Sequence, residues 1–189
     1  MPRWDAQAEE RLRTAAIELF LELGYENVTV AQIAERAGLA RRTFSRYFAD
    51  KRDVLFADSD RLPELLAEAL RRTDPVLTPF EALVTSLADV GTMLGAQVAP
   101  HAAQRREVIA RSPELQERGR TKFAAVAHAL RTELLHRGTE SATAELLADV
   151  GVAVFRTGFD RWVDDPDGAD LSVRLRETGA ELADAVTQR

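Results

Sequence analysis

Apolar residues recur along this chain with the period of a helix almost from end to end. Leu12, Ala16, Leu19, Phe20 and Leu23 fall on one helical face, and Gly24 follows as a C-terminal stop. Thr29 opens a second helix. Gln32 stands three residues on and completes a T-x-x-Q capping box, while Val30, Ile33, Ala34 and Ala37 form the apolar face. Gly38 permits a tight turn. A third helix follows over about 41–48, with Phe44, Tyr47 and Phe48 facing inward. Asp50 caps a fourth that runs to about Arg72, with Val54, Leu55, Leu62, Leu65, Leu66 and Leu70 as its apolar set. Asp74-Pro75 breaks the pattern and Thr78-Pro79 restarts it. A long helix over about 80–98 then ends at Pro100, and a shorter one holds Val108 and Ile109. Ser112-Pro113 opens a helix to about Arg137, and helices over about 141–164 and 169–187 complete the chain. No strand alternation or internal repeat is visible. The pattern predicts an all-α protein of about nine helices.

Composition narrows the class. Apolar residues make up 46% of the 189, enough for a substantial core, so global disorder is excluded. The chain has no cysteine, which removes disulfides and thiolate metal sites and fits a reducing, cytoplasmic location. Met1 to Arg13 is charged and lacks the apolar region of a signal peptide. No apolar run approaches the roughly 18 residues of a membrane span. The net charge of −6 argues against nucleic acid, but its distribution argues for it. Between residues 36 and 52 stand Arg36, Arg41, Arg42, Arg46, Lys51 and Arg52 against the single acid Asp50. This basic cluster falls on two short helices separated by Ala37-Gly38-Leu39, the form of a helix-turn-helix whose second helix reads DNA.

Residues Arg11 to Phe56 resemble, without a gap, the DNA-binding region of the TetR family of bacterial transcriptional regulators. The matching positions are Ala15, Ala16, Leu19, Phe20, Gly24, Tyr25, Thr29, Val30, Ile33, Ala34, Ala37, Gly38, Thr43, Phe44, Tyr47, Phe48, Lys51 and Leu55. The resemblance implies a helix-turn-helix unit of three helices followed by a helical ligand-binding and dimerisation domain. It also implies that Thr29 caps the second helix near a phosphate. Arg41, Arg42, Thr43 and Ser45 would lie where the family reads bases, and Tyr47 and Lys51 where it grips phosphates. These residue types suit the roles: Arg pairs with guanine O6 and N7, and Lys acts as a point charge. Two positions depart from the pattern. Ala40 replaces a common Ser, losing about 1 kcal/mol of capping. Ser45 replaces a common aromatic residue, so operator sequences do not transfer from relatives.

Other signals are weaker. Glu133 and His136 have di-iron spacing, but no second copy is present, and a solvated helix end is the simpler reading. Asp164, Asp165, Asp167, Gly168 and Asp170 fail the calcium-loop pattern and read as a connecting turn. No nucleophile elbow, phosphate loop or paired carboxylates appear. No enzyme activity, metal or cofactor is expected.

Three linear regions are expected: 1–50 binding DNA, 51–73 as a linker helix, and 74–189 for regulation and dimerisation. A ligand cavity is drawn from Leu87, Gly91, Leu94, Ile109, Phe123, Val126, Leu130 and Phe155, with Gln97 or His128 as polar anchors. His128 is more readily a core histidine than a ligand contact, and Gly91 with Gly95 more readily close helix packing than ligand space. A homodimer interface is drawn from Phe159, Trp162, Leu171, Leu175, Thr178, Gly179, Leu182 and Val186, which recur at helical spacing. The function expected is a repressor released from a palindromic double-stranded operator by a small apolar or amphipathic inducer. Two alternatives stay open: a DNA-binding regulator without an inducer, and a helical binding protein or enzyme that does not act on DNA.

Overall fold

The computed structural model describes residues 6–56 and 60–187, apart from the side chains of Ala6 and Gln97. Among them are ten α-helices and no strand. They are α1 (Ala6–Leu23), α2 (Val30–Arg36), α3 (Arg41–Tyr47), α4 (Asp53–Phe56), α5 (Leu62–Arg72), α6 (Pro79–Val98), α7 (Ala102–Arg111), α8 (Pro113–His136), α9 (Ser141–Asp164) and α10 (Leu171–Thr187). The predicted helix over 50–72 is the one element that differs. It is two helices, α4 and α5, and residues 57–59 lie outside the described residues. Pro63 accounts for the second start. It sits in the first turn of α5, where no N–H is needed. Inside an unbroken helix it would remove a hydrogen bond and clash with the preceding turn. Asp50 does cap α4, accepting from the N–H groups of Arg52 at 2.7 Å and Asp53 at 3.1 Å.

The chain divides into two compact units, residues 1–60 with 101–119, and residues 61–100 with 120–189. This grouping of contacts does not follow the linear plan of 1–50, 51–73 and 74–189. Val108 of α7 and Leu115 of α8 are buried in the same core as Leu12, Phe20 and Phe44, so residues 101–119 pack with the N-terminal helices. In that first unit α1 supplies Leu12, Ala16, Leu19 and Phe20, and the Phe20 ring lies 5.2 Å from that of Tyr25.

The second unit is built around α10, which packs chiefly on α6 and α9. Leu175 is wholly buried. A Cβ placed on Gly91 of α6 would come within 2.8 Å of Leu175 Cδ1, and one on Gly158 of α9 within 2.8 Å of Leu175 Cδ2. The two glycines therefore form notches that hold this one leucine. Gly91 and Gly95 thus serve helix packing, and Gly91 lines no ligand space. The α5 end is fastened to α8 by two arginines. Arg137 donates to the carbonyls of Leu70, Thr73 and Asp74 at the end of α5. Arg71 donates to both carboxylate oxygens of Glu133, at 2.6 and 3.1 Å. That bond holds the Glu133 carboxyl below its ordinary pKa despite partial burial. Glu133 is buried rather than part of a solvated helix end, and its spacing with His136 is explained by the ion pair.

Leu175→Ala is expected to lower stability by about 2–5 kcal/mol, because two glycine notches cannot collapse onto the space it leaves. Urea denaturation of the variant against the parent measures this.

Candidate nucleic-acid interface

The turn between α2 and α3 is fixed by backbone hydrogen bonds. Gly38 N–H donates to Glu35 O at 2.9 Å and Leu39 N–H to Ala34 O at 2.8 Å, closing the α2 carbonyls in the paired pattern of a left-handed helix end. Gly38 has φ +66°, a region that L side chains rarely adopt. The Arg11 guanidinium donates to the Ala37 carbonyl beside it. At the other end of α2 the predicted capping box is formed. Gln32 N–H donates to Thr29 Oγ1 at 3.3 Å, and Thr29 N–H donates to Gln32 Oε1 at 2.8 Å. Thr29 is exposed at this helix start.

On α3, Phe44 is buried in the first core, which turns positions 41, 42, 45 and 46 outward. Arg41, Arg42 and Ser45 are exposed, and Thr43 and Tyr47 are half-buried on the flank. Among the described residues the side chains of Arg41 and Arg42 have no hydrogen bond or ion pair. Ala40 gives α3 no side-chain cap, as its identity requires. Arg46, absent from the sequence-derived set, shares this outer face. Its guanidinium lies 4.8 Å over the Tyr47 ring, and its Nη2 donates to the Tyr47 hydroxyl at 2.9 Å. Its position four residues after Arg42 was the available signal.

The remaining cations of the cluster are already engaged. Arg36 donates through both terminal nitrogens to Glu22, at 3.0 and 2.8 Å, and pairs with Glu18 at 3.5 Å. Arg52 pairs with Asp50 at 2.5 Å and with Glu114 at 3.6 Å. Burial raises the Asp50 pKa, but the Arg52 bond and the two backbone N–H groups outweigh it and hold the carboxyl below its usual range. Lys51 departs from the expected phosphate grip. Its ammonium donates to the carbonyls of Tyr25 at 2.7 Å and Val28 at 3.0 Å, with Glu26 O at 3.4 Å, and lies 4.2 Å over the Tyr25 ring. These carbonyls belong to the turn before α2. Lys51 is therefore a structural clip between that turn and the segment after α3. Tyr25 itself is buried, and burial, with the nearby Glu114 carboxylate, pushes its hydroxyl pKa up.

Of the residues drawn as a ligand cavity, Leu87, Leu94, Phe123, Val126, Leu130 and Phe155 share one hydrophobic cluster of the second unit. Ile109 belongs to the first unit's core, while the others lie in the second unit. Leu87, Val126 and Leu130 are almost fully buried, and Leu130 Cδ1 would lie 3.1 Å from a Cβ on Gly151. His128 is exposed, so it is neither a core histidine nor an enclosed anchor. Gln97 lies outside the described side chains. Leu94, Phe123 and Phe155 do pack together in the second unit's core, with Phe159 and Trp162 joining them.

The residues drawn as a dimer interface pack largely within the chain. Leu171, Leu175, Thr178 and Gly179 are buried, and Gly179 faces Val84 so closely that a Cβ there would lie 2.7 Å from Val84 Cγ2. Leu182 is half-buried, and Val186 is exposed. The outer stripe of α9 is left uncovered within the chain. Leu146 is 64% exposed, and Ala153 and Thr157 are exposed beside a half-buried Val150. Val173 and Ala180 are exposed on α10. Sequence spacing alone shows two stripes on such helices and does not say which one its own chain covers.

Among the described residues no group of three or more His, Asp or Glu side chains could hold a metal, and no single helix is long and apolar enough to cross a membrane. Residues 12–57 match the family described as bacterial regulatory proteins, tetR family. MftR of Mycobacterium tuberculosis, a candidate mycofactocin biosynthesis transcriptional regulator, is 29% identical over 174 residues, which is 90% of this chain and 85% of the relative. SmeT, solved in complex with triclosan, shares the fold with a TM-score of 0.59 at 23% identity, covering 92% of this chain and 90% of that one. FadR of Bacillus subtilis, solved with stearoyl-CoA, does so with a TM-score of 0.59 at 21% identity, covering 92% and 96%.

Lys51→Ala is expected to lower stability by about 1–3 kcal/mol, since the Tyr25 and Val28 carbonyls lose their partner. The salt dependence of DNA binding, measured on the folded variant, should keep its slope. A lysine gripping a phosphate would instead reduce that slope by about one.

Proposed function

We propose that this chain, a DNA-binding transcriptional regulator that belongs to the TetR family of bacterial regulators, is a cytoplasmic repressor released from its operator by a small apolar or amphipathic molecule. One observation carries the DNA-binding part. The outer face of α3 presents Arg41 and Arg42, unengaged among the described residues, on a helix held by the Gly38 turn and the buried Phe44. In this reading Arg41, Arg42 and Ser45 address base edges, while Thr29, Thr43, Arg46 and Tyr47 address phosphates or sugars. The helix-turn-helix within 1–50 binds DNA, 51–73 links, and 74–189 regulates and dimerises. The ligand-responsive part is supported by the small molecules carried by relatives of the same fold, triclosan in SmeT and stearoyl-CoA in FadR. Such a ligand releases DNA only if it binds the DNA-incompetent state more tightly.

The same reading takes the protein as a homodimer. Its seam is the outer stripe of α9, with Leu146, Val150, Ala153 and Thr157, flanked by Val173 and Ala180 of α10. An exposed apolar stripe on two adjacent antiparallel helices can pair with its own copy as a four-helix bundle. The two recognition helices then address half-sites about one DNA turn apart.

Selection of bound DNA from a random pool should yield a roughly palindromic site. On that site Arg41→Ala and Arg42→Ala should each cost about 1–3 kcal/mol and relax base preference. Affinity for the selected site no better than for random DNA across a salt series refutes the reading. Leu146→Glu should shift the protein from dimer to monomer in sedimentation at micromolar concentration and leave its thermal unfolding cooperative. An unchanged dimer places the seam elsewhere.

A further inference from the structure

The turn that precedes α2 is held from a second side. Lys51 reaches its carbonyls from the segment after α3, while residues 112–114, where α7 passes into α8, reach its side chains. Ser112 Oγ donates to Glu26 Oε1 at 2.8 Å, across 86 residues of chain. The Tyr25 hydroxyl donates to Glu114 Oε1 at 3.4 Å, and the same oxygen lies 3.6 Å from Arg52. This elbow is firmly seated. Ser112 is 3% exposed, and Val108 and Leu115 on either side of it are buried in the core that holds Phe44 of α3. Packing alone does not place the turn against it. Phe20, Tyr25, Val108 and Ser112 are among the residues around a pocket of about 100 Å³ left between turn and elbow. Atoms that face a gap lack contacts on that side, so directional bonds decide where the turn rests.

We infer that Ser112 and Glu114 are positioning residues for operator recognition, although neither lies on the helix-turn-helix. The turn leads into Thr29, whose side chain caps α2, and its carbonyls hold the Lys51 ammonium that fixes the segment after α3. A turn that shifts therefore moves both ends of the helix-turn-helix. A hydroxyl has one hydrogen to donate, and that of Ser112 goes to a carboxylate, a charge-assisted bond of the stronger class. Without it the turn samples other positions. Apparent DNA affinity then falls by the fraction of molecules whose recognition helix is correctly set. The inference rests on the reading of this chain as a DNA-binding regulator.

The experiment uses the whole chain and the site selected from random DNA. The quantity compared is the ratio of operator affinity to random-DNA affinity, in which a general change of charge cancels. Ser112→Ala and Glu26→Ala should each lower this ratio about five- to tenfold, the size of one hydrogen bond to a charged group. The double variant should lower it no further than either single variant, since both remove the same bond. Glu26→Gln removes the charge but keeps an acceptor for the hydroxyl, and should retain most of the ratio. Glu114→Ala should lower the ratio about twofold or more. Binding is measured well below the thermal midpoint of each variant, where a loss of stability alone leaves the ratio unchanged. If Ser112→Ala does not fold, Glu26→Ala, at an exposed position, tests the same bond from its other end. An unchanged ratio in the Ser112 or Glu26 alanine variants overturns the role of Ser112. So do losses that multiply in the double variant, or a Glu26→Gln variant as impaired as Glu26→Ala. An unchanged ratio in Glu114→Ala overturns the role of Glu114. A parent with no preferred site removes the DNA-binding reading and this inference with it, whereas a parent with a preferred site and unchanged variants removes the inference alone.

Discussion

The geometry of the DNA-binding unit depends on where one ammonium points. Lys51 follows the recognition helix, yet its three N–H groups are directed at the carbonyl side of the turn that precedes α2. The two ends of the helix-turn-helix are thereby tied to each other across Tyr25. A seven-residue helix without an N-terminal side-chain cap is too short to be stable by itself, so α3 holds its place through tertiary contacts. Phe44 anchors its inner face, the Gly38 turn fixes its start and the Lys51 clip fixes the segment after its last turn. The charge that looked available for DNA is in this instance part of the scaffold that aims the arginines.

The second unit is organised by close approach rather than by bulk. Leu175 fills the space that Gly91 and Gly158 vacate, and Gly179 lets Val84 come near α10. Helices that meet at glycines bury their backbones against each other, and the interaxial distance is set by atoms that cannot change rotamer. With α10 held this way, the inner stripe of Leu171, Leu175 and Thr178 is fully used within the chain. The outer stripe of α9, with Leu146, stays exposed.

Much of the fold was legible in the sequence because local chemistry decided it. The T-x-x-Q box of α2, the Gly38 turn and the Ser112-Pro113 start of α8 each name their own position. So does the helical period of Leu12, Leu19 and Phe20. Pro63 was an equally local signal, and the apolar period that continues from Leu55 to Leu62 concealed it. The candidate site was legible in residue type but not in pairing. Arg36 and Lys51 look like Arg41 and Arg42 in a charge count, and only their distances to Glu22 and to the Tyr25 carbonyl separate them. Stripes on α9 and α10 were visible, whereas which stripe faces inward depends on contacts with α6 far away in sequence. The separation of Ile109 from Phe123 is of the same kind, since no local signal says that residues 101–119 pack with the N-terminal helices.

The internal pairing of Arg36 and Arg52 has a consequence for how such a regulator shares its time along a chromosome. Affinity for arbitrary DNA grows with the number of phosphates a protein neutralises, and an acidic body carrying a net charge of −6 adds nothing to it. Two arginines that face their own carboxylates add less to the grip on random sequence than two facing outward would. Fewer copies are then held on the wrong DNA than if both arginines faced outward.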